Sequence, residues 1–483
     1  MQIIPTPTAE TAKCGEFVLP EKIYLKTRKI SNKSFIRLAK ELTQTFFGGT
    51  SVLEVIETPS VPDKAAIIDA ANSAEAAKLP SELSLGENEY VLDIEADGAT
   101  ILFRDEKALI HAFMSFLMGF EMKTKGRYTA PCRLIEDRPS ISFRGVHLCV
   151  FPETTLDFLK KCVSVCGMLK YTHIVIEFWG TYRYACTDLL SWDSAYTKEE
   201  LLPIIDDIRG FGAEPVPMLN FLGHASQSRV MGGKHVTLDR HPEAEYLFEN
   251  DGWTWRVDEN ETRELIESAA RELCELFGEG EYFHFGCDEV YSIMQRDDQA
   301  EFLERHLGRI ERFSEKLGRR PLIWGDMLID FERAFADRGA NKETLDGTPG
   351  LETYKALAKL SKRHVLCDWQ YFIRTGRAVT AEQFTEKGFD TLLCPWTRGD
   401  NMRLLCREAV RLNCMGILMT TWHTIMENFG ALAECADYMW SPDAESRHSA
   451  YQTVCATLVR KLVPSKDYAS SGWQANQLTF NRY

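Results

Sequence analysis

EYFHFGCDEVY, residues 281–291, alternates like a strand through Tyr282, Phe283, His284 and Phe285, breaks at Gly286 and Cys287, and then sets two carboxylates side by side, Asp288 and Glu289. An apolar pleated run that stops at glycine reads as a buried strand reaching a surface, and adjacent acids there are either a solvated turn or a site. Seven more runs of this kind flank it: ISFRGVHLCV (141–150), THIVIEF (172–178), AEPVPML (213–219), RPLIWGD (320–326), HVLCDWQY (364–371), TLLCPW (391–396) and GILMTTW (416–422). Helix-period segments such as TLDFLKKCVSVCGMLK, ETRELIESAARELCELFG and NMRLLCREAVRLNC lie between most of them. Eight strand–helix repeats over about 325 residues imply an α/β fold, a (β/α)8 TIM barrel, whose functional rim lies where the strands end.

On that reading Asp288 and Glu289 follow the fourth strand and point toward one cavity. Trp324 and Asp326 end the fifth strand, Asp368 and Trp369 lie in the sixth, Trp396 ends the seventh and Trp422 the eighth. Four of the ten tryptophans thus fall at four consecutive strand ends, where barrels otherwise favour branched aliphatic residues; that much indole suggests a wall for stacking sugar faces or aromatic ligands.

Ahead of the barrel, residues 1–135 read as a small α+β domain. It has a helix at 32–47, strands at SVLEVIE and AAIIDAA, a hairpin closed by Asp97 and Gly98, and a second helix near 106–119. The segment 71–87 reads as a surface excursion. The barrel is placed at 136–465 and a C-terminal tail at 466–483.

Composition narrows the function. With 45% hydrophobic and 26% charged residues, the chain can bury a substantial core. A formal charge of −15, spread along the chain, disfavours nucleic acid or an anionic membrane surface as partner, and a neutral small molecule or glycan fits better. No basic leader with an apolar core and no long uncharged apolar run is present, so the expected location is cytoplasmic. Fourteen cysteines in mostly apolar surroundings read as reduced core thiols. Cys162 and Cys166 lack a second ligand pair at zinc spacing, so neither metal nor cofactor is expected. GEG at 278–280 is a helix-ending loop rather than a phosphate cradle.

At these residues the sequence resembles glycoside hydrolase family 20, the β-N-acetylhexosaminidases, whose signature His-x-Gly-Gly-Asp-Glu is met by HFGCDE with Cys287 at the second glycine. The cysteine variant is similar to the hexosaminidase D branch. IIPTP, EYVLDIEADGATILFRDEKALIHAFMSFL and IEDRPSISFRGVHL resemble the family's N-terminal domain and the opening of its barrel. The resemblance implies that Glu289 is the general acid/base and Asp288 the carboxylate that orients and stabilises the substrate's 2-acetamido group. It implies that Arg144 holds the sugar's O3 and O4 hydroxyls and that His224 stands at the family's third-strand histidine. Trp324, Trp369 and Trp422 are the implied aromatic walls, and Trp396 takes the place of the seventh-strand tyrosine. THIVIEFWGTYRY replaces the histidine-rich second strand end, Leu222 replaces the proline before Gly223, and His423 and Thr424 follow Trp422 where an acid is usual.

The adjacency of the two acids fits such chemistry. Ordinary retaining glycosidases need carboxyl groups about 5–5.5 Å apart across the anomeric carbon, which neighbours in sequence serve poorly. If the acetamide is the nucleophile, both carboxylates can come from one segment. An anionic Asp288 is also expected to raise the pKa of Glu289. His284 reads as a core or supporting histidine. Two other functions stand beside this one: a metal-dependent barrel hydrolase using His147, His224, Glu177 and Asp288, and a non-catalytic glycan-binding protein on the same barrel.

Overall fold

A strand turns successive side chains to opposite faces, and in the first barrel strand that parity is decisive. Phe143 and His147 face the axis, while Val146, Leu148 and Val150 pack outward under the helices. The computed structural model describes residues 2–27, 30–56, 66–72, 85–225, 235–337, 345–422 and 429–462. Within them all eight expected strands form one closed parallel barrel: Phe143–Val150, His173–Phe178, Glu214–Met218, Tyr282–His284, Arg320–Trp324, Val365–Trp369, Thr391–Cys394 and Gly416–Thr420. The last pairs with the first, Ile417 beside Arg144. Val175, Val216, Leu322, Val365, Leu392 and Leu418 fill the interior, as branched residues do in such barrels. Two of the barrel helices begin on threonine side-chain caps: Thr155 accepts from the Phe158 amide, and Thr197 with Glu200 forms a capping box.

The segment before the barrel forms an eight-stranded mixed sheet among the described residues. Its expected helices are Lys33–Phe46 and Glu106–Met118, and its expected strands are Val52–Ile56, Ala66–Asn72 and the hairpin Tyr90–Glu95 with Gly98–Phe103. Four further strands carried no sequence signal. Ala9–Val18 is exposed at nine of its ten positions, so backbone pairing with Arg127–Asp137 rather than apolar alternation makes it a strand. Lys22–Lys26 and Glu121–Thr124 are short. Residues 73–84, within the expected excursion, and the tail from 466 onward lie outside the described residues. All fourteen cysteines are free thiols, most of them buried. Among the described residues no helix is long and apolar enough to cross a membrane.

The sheet meets the foot of the barrel through a buried ion pair. Lys170 Nζ lies 3.1 Å from Asp137 Oδ2, with both side chains fully buried, and 4.4 Å from the centroid of the Trp440 ring. Asp137 also accepts from Tyr90 Oη at 2.5 Å, Trp440 Nε1 at 2.5 Å and the Thr8 amide at 3.0 Å.

Candidate active site

The fourth strand ends at His284 because the chain beyond it turns left-handed, with φ of +66° at Gly286, +78° at Cys287 and +48° at Glu289. This conformation suits glycine, and side-chain-bearing residues held in it cost about 1–3 kcal/mol each. Cys287 occupies such a position, which explains why the resembled signature has glycine there. Gly286 has a second reason: a Cβ on it would fall 1.9 Å from Asn220 Oδ1. Gly286→Ala should therefore cost about 2 kcal/mol of stability from strain and overpacking together, measured by denaturant unfolding.

The turn buries Asp288 and leaves the Glu289 side chain 30% exposed at the rim. Glu289 is pinned through its backbone: its amide donates to Asp326 Oδ2 at 3.0 Å, and its carbonyl accepts from Trp253 Nε1 at 2.9 Å. From the third strand end, His224 brings Nε2 to 3.0 Å from Glu289 Oε2 and 3.3 Å from Asp288 Oδ2. Gly223 makes that approach possible, since a Cβ there would lie 2.0 Å from the Asp288 carbonyl oxygen. The Trp253 ring covers the imidazole at a centroid distance of 4.1 Å.

This histidine reverses the expected electrostatics of Glu289. Burial raises the Glu289 carboxyl, but the hydrogen bond and charge of His224 outweigh it, and the net shift is downward. Burial alone would lower His224; the two acids, Asp288 foremost, push it up to about 10. Asp288 is raised, by burial first, with His224 opposing. Asp326 is raised further, by burial and then by the charge of Asp288. Because the folded pKa of His224 exceeds its ordinary 6.5, its stabilising contribution is complete below about pH 6.5 and is lost as pH rises through about 10. The melting temperature should fall more steeply between pH 7 and 10 in the wild type than in His224→Gln, as thermal melts across that range would register.

The expected tryptophans divide. Trp324 is 1% exposed and packs against His284, His147 and Trp422, so it lies beneath the cavity. Trp369, Trp396 and Trp422 are partly exposed and gather around Tyr371, which sequence reasoning passed over. Trp369 stacks on the Tyr371 ring at 5.3 Å, Trp396 lies at 5.6 Å, and Trp422 Nε1 donates to its hydroxyl at 3.0 Å. Trp253, from a loop whose composition carries no site signal, was also missed, as was Tyr291, two residues past Glu289, whose hydroxyl reaches that carboxylate. His423 and Thr424 lie outside the described residues. His284 is a fully buried supporting residue, accepting from the Gly286 amide at 3.1 Å.

Arg144 does not join this cluster. It lies near the start of its strand on the outward face, 1% exposed, with its guanidinium 4.9 Å from the Trp440 ring centroid and bonded to the carbonyl oxygens of Lys170 and Ile141. The far end of the strand is where Asp288 sits, so a hold on sugar hydroxyls is not available to it. Glu177 instead faces the cavity, accepting from Asn220 Nδ2 at 2.6 Å and lying 3.0 Å from His147 Nε2. The ligand set of a metal-dependent hydrolase is likewise divided, His147 and Glu177 in one cluster and His224 and Asp288 in another.

No family model matches the chain. It is 25% identical over 187 residues to hexosaminidase D of Bos taurus, a match covering 36% of this chain and about half, 52%, of that relative. Among solved structures, the GH20 exo-β-N-acetylglucosaminidase of Vibrio harveyi, in complex with N-acetylglucosamine, superposes with a TM-score of 0.67 at 15% identity, covering 95% of this chain and 77% of that one. The β-N-acetylhexosaminidase of Bacteroides fragilis gives 0.67 at 16% identity over 94% of both chains. That of Streptomyces coelicolor gives 0.64 at 16% over 98% and 96%. The chain is therefore similar in sequence to hexosaminidase D, and its sheet and barrel have the fold of the glycoside hydrolase family 20 β-N-acetylhexosaminidases.

Proposed function

We propose that the protein is a retaining exo-β-N-acetylhexosaminidase that removes terminal N-acetylglucosamine or N-acetylgalactosamine from glycans or glycosides, with the substrate's 2-acetamido oxygen as nucleophile. The carrying observation is that Asp288 and Glu289, adjacent on one strand end, meet His224 and Asp326 in one hydrogen-bonded cluster at the barrel rim. Asp288 Oδ1 is buried and meets no donor among the described residues, which suits an acceptor for the acetamide N–H. The Tyr371 hydroxyl, oriented by Trp422, donates to the acetamide oxygen, and the partly exposed indoles carry the sugar face.

The free site keeps a proton on His224. Glu289 must carry a proton to act as the acid, and His224, at 3.0 Å, is the neighbouring donor from which substrate binding would have to draw it. Glu289 protonates the glycosidic oxygen as the C1–O bond breaks and the acetamide oxygen bonds to C1. The cyclic cation is offset by Asp288. Water then attacks C1, Glu289 takes its proton, and the acetamide oxygen is released, so two inversions give net retention.

Glu289→Gln should lower kcat by at least about 100-fold on an N-acetylhexosaminyl disaccharide, the usual scale for a general acid, and by less on a nitrophenyl glycoside whose leaving group needs no proton. Rates close to wild type on the disaccharide would remove Glu289 from the mechanism. A wild-type protein that binds but turns over neither configuration would leave the glycan-binding reading.

A further inference from the structure

Beside the proposed catalytic pair, the barrel mouth holds a second cluster of different chemistry. His147 and Cys149, on the inward face of the first strand, meet Glu177 of the second; the three residues are 0%, 8% and 4% exposed. His147 Nε2 lies 3.0 Å from Glu177 Oε2, Cys149 Sγ lies 3.6 Å from that oxygen, and Sγ lies 3.7 Å from Nε2. Three ligands on a tetrahedral zinc ion, with Zn–N and Zn–O near 2.1 Å and Zn–S near 2.3 Å, stand about 3.4 Å apart for N···O and about 3.6 Å for pairs with sulfur. The donors thus stand close to the edges of a coordination tetrahedron.

Charge selects the same class of ion. A thiolate, a carboxylate and a neutral imidazole sum to −2, so a divalent cation leaves the buried cluster neutral. The mixed sulfur, nitrogen and oxygen set favours a borderline metal over magnesium or calcium. Asn220 Nδ2 holds the other Glu177 oxygen at 2.6 Å, and Trp324 and Trp422 pack edge-on against the His147 ring, so two ligands are oriented by neighbours. Glu177 and Asn220 line a cleft with Trp179 and His224, which gives a route inward as far as Glu177.

We propose that His147, Cys149 and Glu177 form a binding site for a borderline divalent cation, zinc foremost, separate from the Asp288–Glu289 pair. Binding forms the Zn–S bond as the Cys149 S–H proton leaves to solvent, with no change of oxidation state. The readout is binding rather than turnover, so the result is independent of the hydrolase reading.

Chelator-treated full-length protein would be titrated with zinc chloride by calorimetry, and separately with cobalt(II) followed by absorption. One zinc per chain is expected, released on acidification, together with a thiolate-to-cobalt charge-transfer band in the near ultraviolet. Cys149→Ser should abolish that band, and Asn220→Ala should weaken zinc by about 10–100-fold, the usual cost of removing a group that orients a ligand. The wild-type spectrum stands by itself if a variant misfolds. Absence of stoichiometric zinc binding overturns the site and leaves a hydrogen-bonded His–Glu pair beside a thiol. Cobalt bound without the thiolate band overturns it in favour of the cluster of His224, Asp288 and Glu289, and a band that survives in Cys149→Ser assigns the metal to another cysteine.

Discussion

A β-linked N-acetylhexosaminide should be hydrolysed by this protein with kcat/KM several orders of magnitude above that of the same glycoside carrying a hydroxyl at C2. The gap follows from the nucleophile. An acetamide tethered to the reacting ring attacks C1 within one molecule, and well-oriented intramolecular groups have effective molarities of about 10⁵ M or more. A 2-hydroxy sugar has no such group, and Asp288 and Glu289, side by side, are badly disposed to act as nucleophile and acid across the anomeric carbon. A thiazoline resembling the cyclised intermediate should bind far more tightly than substrate. Asp288→Asn should weaken that inhibitor and slow turnover together, because one carboxylate faces the same cation in both. Paired rates on p-nitrophenyl glycosides of both types, in gluco and galacto configuration, measure the gap. Similar rates for acetamido and hydroxy sugars, or covalent capture of either acid by a 2-fluoro glycoside, would show that the protein supplies its own nucleophile.

Asp137→Ala should lower the unfolding free energy by about 3–5 kcal/mol, the scale for removing one partner of a fully buried ion pair. The change strands Lys170 without its counter-charge, and Tyr90, Trp440 and Thr8 lose the acceptor they share. The damage should concentrate where the N-terminal sheet meets the barrel. Asp137→Asn, which keeps shape and most acceptor capacity, should recover part of the loss. Urea denaturation of the three proteins provides the measurement, and a loss under about 1 kcal/mol for the alanine variant would mean that water reaches Lys170.

The barrel was legible because each strand is a short apolar run bounded by turn residues, and a closed parallel barrel buries both faces. Its eight strands fell within the expected segments, although the fourth is only three residues long: the left-handed turn at Gly286 and Cys287 takes the backbone out of register before the apolar residues stop. The exposed strand Ala9–Val18 was illegible for the converse reason, since its stability comes from backbone pairing. Asp288, Glu289 and Asp326 followed from strand ends, and His224 from the family resemblance. What fills the space above them did not: Trp253 arrives from a long loop, and Tyr371 lies two residues past the Trp369 that drew notice. Arg144 was misplaced because sequence similarity carries no depth along a strand; its odd parity with His147 sends it outward at the foot. The direction of the Glu289 shift depended on a 3.0 Å contact between residues 65 positions apart, which no local pattern encodes.

Gly223 and the carbonyl of Asp288 touch where no side chain fits between them. The ends of the third and fourth strands are therefore in backbone contact and must fluctuate as one mechanical unit. A displacement of either segment presses on the other, so His224 and the two acids are expected to shift together. Amides of residues 220–225 and 285–290 should accordingly open with a common free energy in native-state hydrogen exchange.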